Sequence, residues 1–68
     1  MFTIDAGKIR SLMFEHEVSG VYDLARKAKI NNLTAARVLK DGATATTKTI
    51  AALAKFFNVN GNDLILKE

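Results

Sequence analysis

The segment Asp23-Leu24-Ala25-Arg26-Lys27-Ala28-Lys29-Ile30-Asn31-Asn32-Leu33-Thr34-Ala35-Ala36-Arg37-Val38-Leu39-Lys40-Asp41-Gly42 decides how this chain folds. Its spacing predicts two short helices joined by a tight turn. Leu24, Ala25 and Ala28 fall on one inward face, and the small side chains of Ala25 and Ala28 let a second helix approach closely. Ile30 is placed in the turn as an apolar plug. Asn31 is suited to cap the next helix, its side-chain oxygen accepting from an amide one turn on. Ala35, Val38 and Leu39 repeat at i, i+3 and i+4 as a buried stripe, which leaves Asn32, Leu33, Ala36 and Arg37 facing outward. Gly42 is expected to end this helix, because glycine tolerates the left-handed conformation.

Working outward, a first helix is expected over residues 6–16, capped by Asp5, with Ile9, Leu12, Met13 and His16 as its inward stripe. Glu17-Val18-Ser19-Gly20 breaks that pattern and links to the central pair. Downstream, Ile50, Leu53, Ala54 and Phe57 share one face of a further helix with Thr46 as its cap. Asn58-Val59-Asn60-Gly61 then turns around a buried valine, and Leu64 should close the base of the core. Phe56 would project sideways from its helix. Exposed together with Ile65 or Leu66 it would mark a dimer surface; otherwise it packs on the final helix or on Phe2 and Ile4.

The residues from Asp23 to Leu39 resemble the helix-turn-helix of the Cro/C1-type repressor family, also called the XRE family. They are also similar to the opening of LacI-type repressors, but those begin with the motif and continue into a large sugar-binding domain. Here about a third of the chain precedes the motif. The Cro/C1 resemblance extends through Thr46 to Val59 and through Asn62 to Leu66, which look like that family's fourth and fifth helices. It implies an all-α, compact five-helix domain spanning residues 1–68, with the motif at about residues 21–40. Three departures stand out: Val21 where the family commonly has glutamine, Lys29 where it has glycine in the turn, and no proline after the recognition helix. Lys29 must therefore adopt a positive φ at some cost or relax the turn.

At 68 residues the chain can bury only about 60% of its unfolded surface, so modest stability is expected. A composition of 49% hydrophobic and 25% charged residues is that of a folded globular protein. Cysteine is absent, which removes disulfides and cysteine-ligated zinc and suits a cytoplasmic location. No apolar run approaches the ~20 residues of a membrane span, and the first residues do not resemble a secretion signal. The net charge of +3 is unevenly spread. Residues 24–55 carry seven cations against Asp41 alone, a net +6, and the remainder a net −3. Cations gathered on one helix pair attract polyanions there.

These patterns together point to duplex DNA. In motifs of this kind the start of the second helix enters the major groove and the preceding helix crosses the backbone. Asn32 and Arg37 can pair in two-pronged fashion with adenine and guanine, Leu33 can touch a thymine methyl, and Ala36 leaves room for close approach. Phosphate contacts are expected from Lys27, Lys29, Asn31, Thr34, Lys40, Thr44 and Lys48, with Tyr22 as a further candidate. Glu15, His16 and Glu17 point in different directions on a helix, and neither a nucleophile set nor a phosphate-cradling glycine loop is present. An enzyme, a metal site, a cofactor and a small-molecule ligand are therefore not expected. The resemblance implies a phage or mobile-element regulator, a repressor or Cro-like switch that binds its operator as a homodimer. The rival reading is a protein-interaction module of the same fold, antirepressor or antitoxin-like.

Overall fold

In the computed structural model, residues 1–66 are described; Lys67 and Glu68, which entered the charge balance, lie outside them. The helices are α1 (Ala6–Glu15), α2 (Val21–Ala28), α3 (Asn32–Val38) and α4 (Thr47–Phe57). Two short strands, β1 (Phe2–Thr3) and β2 (Thr44–Ala45), pair antiparallel with Phe2 opposite Ala45 and Thr3 opposite Thr44. A single 3₁₀ turn, Gly61–Leu64, follows α4.

The expected all-α, five-helix layout is thus corrected in two places. Where a fifth α-helix was expected there is one 3₁₀ turn, too short to close the i→i−4 ladder that a helix nucleus needs. The N-terminal residues, in turn, are extended. The Ile4 amide donates to the Ala43 carbonyl at 2.8 Å, the Leu66 amide donates to the Thr3 carbonyl at 2.8 Å, and Ile4 bridges Ile65. The segment around β1 therefore lies between the loop leading into α4 and the residues after the 3₁₀ turn, and both of its edges are satisfied.

The helical stripes meet as their spacing dictates. Ile9, Leu12 and Met13 of α1, Leu24, Ala25 and Ala28 of α2, Ala35 and Val38 of α3, and Ile50, Leu53, Ala54 and Phe57 of α4 are all buried, with Ile4 and Leu64 closing the base. The backbone of the 3₁₀ turn packs closely on the Ile50 side chain, where a Cβ on Gly61 would stand 3.2 Å from Ile50 Cγ2. Three expected core residues are displaced, the first being Val59, which is half-buried in the turn after α4 where a buried valine was expected. Leu39 is half-buried because α3 ends one residue earlier, and His16 is exposed because it follows the last residue of α1 and leaves its stripe.

Three helices end in the same way. Glu17, Lys29 and Asn58 each adopt a left-handed φ, at 56°, 60° and 58°. The next residue sends its amide back across the bend: Val18 to Met13 at 2.8 Å, Ile30 to Ala25 at 3.0 Å and Val59 to Ala54 at 3.0 Å. This is the Schellman arrangement, which satisfies a terminal carbonyl and tucks an apolar side chain under the helix. Ile30 thus does serve as the plug of the turn, and Lys29 takes the positive-φ option. Gly42 does not end α3 directly. The helix stops at Val38, and Gly42 (φ 79°) occupies the third position of a separate turn in which the Ala43 amide donates to the Lys40 carbonyl at 3.2 Å.

Candidate nucleic-acid interface

The position of α3 depends on how firmly α2 and the turn hold it. Alanines at 25, 28 and 35 are all buried between the two helices, so their backbones approach without an intervening large side chain. At the start of α3 the Asn31 Oδ1 accepts from the Thr34 amide at 2.7 Å. The cap uses the Asn31 Oδ1 as acceptor and leaves its Nδ2 donors available to an anion. Beyond the cap, Asn32, Leu33 and Arg37 are exposed, Leu33 at 60%, and Ala36 is half-buried between them and the core.

Two shallow depressions flank α3. One is lined by Lys29, Ile30, Asn31, Thr34, Lys48 and Thr49, where the turn faces the first turn of α4. The other includes Arg37, Lys40, Asp41, Gly42 and Thr44, beyond the far end of α3, with the Asp41 carboxylate turned toward Arg10. Six of the seven expected phosphate-contacting residues therefore fall into two groups on either side of the expected base readers. The first turn of α4 is ordered by Thr46, whose Oγ1 accepts from the Thr49 amide at 3.4 Å, and Lys48 projects from it into solvent.

Lys27, the seventh, is differently placed. Its Nζ lies 3.1 Å from Asp23 Oδ2 and 3.3 Å from the Glu17 carbonyl, so it ties α2 to the end of α1. Asp23 is a hub: it accepts from the Ser19 amide at 3.0 Å, from Lys27, and from Arg26. The Ser19 N–H, and after it the Lys27 ammonium, stabilise the carboxylate and lower its pKa from 3.8 to about 2. Gly20 brings no side chain to cap α2, and Asp23 holds the entering chain instead. Asp23, immediately before the cation-rich residues 24–55, engages two of their seven cations. Among the described residues no carboxylate pairs with Lys29, Arg37, Lys40, Lys48 or Lys55.

Arg10 was not foreseen as part of this region. Its guanidinium donates to the Leu39 carbonyl just past α3 and lies 3.6 Å from Asp41, so α1 steadies the far end of α3. No local pattern in the sequence announces a tether between such distant positions. Thr49 was likewise missed, although its place one turn after Thr46 was a usable signal. Tyr22 is 75% exposed on the first turn of α2. Phe56 is not an outward partner of Ile65 or Leu66. It is half-buried, with ring centroids 4.8 Å from Phe57 and 5.7 Å from His16.

A family model described as the Cro/C1-type HTH DNA-binding domain matches residues 8–66. The chain belongs to that family. Comparison with curated proteins and with solved structures gives no match. Family membership makes duplex DNA the ligand class of this fold, and no helix of the described residues is long and apolar enough to cross a membrane.

Proposed function

We propose that the protein is a sequence-specific transcriptional regulator that represses by occupying an operator, in the manner of a Cro-like switch. The observation that carries this reading is the arrangement around α3: Asn32 and Leu33 are exposed at its start beside a depression holding Lys29 and Lys48, and exposed Arg37 lines a second one with Lys40, none of these cations being paired with a carboxylate among the described residues. Asn32 and Arg37 read base edges, Leu33 meets a thymine methyl, and Ala36 permits the helix to seat deeply. Lys29, Asn31, Thr34 and Lys48 hold the phosphates on one side of the groove, and Arg37's neighbours Lys40 and Thr44 hold those on the other. Lys27 contributes its charge at longer range, through the Asp23 network.

The longest dimension of the fold is 29 Å, whereas successive turns of one groove face are about 34 Å apart. One copy therefore serves one half-site, and a palindromic operator takes a homodimer. Selection of bound fragments from a random duplex pool tests this directly. Recovery of an inverted repeat with half-sites one helical turn apart supports it; recovery of no sequence preference, with affinity indifferent to salt, overturns it and favours the protein-interaction reading.

A further inference from the structure

A second groove runs between the end of α2 and the outer side of α4. It is lined by Lys27, Ala28, Lys29, Ala52, Lys55 and Phe56. Its floor is apolar because Ala28 and Ala52 leave space that larger residues would fill, and because Phe56 shows one side of its ring there while its other neighbours are His16 and Phe57. Its rim is cationic, with Lys29 on one wall and Lys55 on the other, neither paired with a carboxylate among the described residues. Among the described residues no acidic one lines it. Lys29 and Ala52 also line the depression at the start of α3, so the two recesses adjoin.

An apolar floor between lysines is poorly matched to a phosphate backbone, which offers charge but nothing to bury against Phe56. It is matched to a peptide that carries carboxylates on either side of an apolar anchor. We infer that this groove binds an acidic, amphipathic segment of a partner protein, and that the occupied groove excludes duplex DNA through the shared Lys29. The exclusion rests on the assignment of Lys29 to a phosphate; the peptide site itself rests on the groove alone. Such a segment would release the regulator from its operator without touching the base-reading residues.

The probe is a synthetic 14-residue helical peptide with Leu and Phe at i and i+4 among glutamates, added to the full chain bound to a fluorescent duplex. The expected result is saturable peptide binding with displacement of the duplex. Lys55→Glu should demand about tenfold more peptide, since it removes one attraction and adds a repulsion, while duplex affinity changes less than about threefold. Ala52→Leu, which fills the floor on a helix that accepts leucine, should weaken the peptide by a similar factor with circular dichroism unchanged. Equal displacement by a glutamate peptide lacking Leu and Phe would overturn the proposal, because charge alone would explain it. So would a Lys55→Glu loss of duplex binding as large as that of Lys48→Ala, which would make the groove part of the DNA track. Absence of peptide binding with intact duplex binding sinks the inference and leaves the regulator reading standing.

Discussion

The Ile30 amide reaches 3.0 Å across the turn to the Ala25 carbonyl, and it can do so because Lys29 between them holds φ at 60° and ψ at 44°. An L-residue with a β-carbon gives up about 1–2 kcal/mol in that conformation, and glycine avoids the clash. The turn of this helix-turn-helix is thus bent by tertiary packing of Ile30 and Ala25 against the preference of the residue at its apex.

Lys29→Gly should raise stability by about 0.5–1 kcal/mol, the relief of the left-handed clash less the extra freedom of glycine in the unfolded chain. In a thermal melt this corresponds to a gain of roughly 3–6 °C. The same variant should bind duplex more weakly, having lost a cation at the proposed phosphate track. A Lys29→Ala melt at or below that of the parent chain is the control, since alanine keeps the clash.

Asn31 has two separable tasks. Asn31→Ala should cost about 1 kcal/mol, the loss of a helix cap. Asn31→Asp keeps an oxygen to accept from the Thr34 amide and should melt close to the parent, yet bind duplex markedly less because a carboxylate faces the phosphates. Equal duplex affinity of Asn31→Asp and the parent, measured by anisotropy, would remove Asn31 from the interface.

Asp23 should make stability depend on acid. Its folded pKa is below its unfolded value, so its contribution is complete above pH 4 and fades as the pH falls toward about 2. Asp23→Asn should lower the melting temperature at pH 7, and the gap between variant and parent should close over that acidic window. Melts at half-unit steps of pH provide the check, and a constant gap down to pH 2 would contradict the assignment.

Arg37→Ala and Lys48→Ala should fail differently. The first should relax base preference at one operator position with a loss of about 1–3 kcal/mol on the preferred site, while the second should weaken every duplex alike and reduce the salt slope by about one. Binding curves on matched and randomised duplexes at several salt concentrations separate them. Identical behaviour of the two variants would argue against α3 in the groove.

Much of this was legible in the chain because helical periodicity is a local property. The stripes of α2 and α4, the plug at Ile30, and the caps at Asp5, Asn31 and Thr46 all follow from neighbours a few residues away. The strands were not legible, for two residues carry no alternation to detect and their partners lie at the other side of the chain, Thr3 with Thr44 and Ile4 with Ile65. At the site, periodicity correctly turned Asn32, Leu33 and Arg37 outward. It could not show that Lys27 and Arg26 are engaged by Asp23, since ion pairing depends on rotamers and loop path rather than on spacing alone.

The bridge between Ile4 and Ile65 also orders events in time. As the chain folds, the α2–α3 pair can assemble from near neighbours, but Ile4 has nothing to join on its second edge until Ile65 and Leu66 are brought back from about sixty residues away. Short-range contacts form quickly and long-range ones slowly. The helix pair proposed to meet DNA is therefore drafted from local contacts, and the clasp at the base of the fold closes after it.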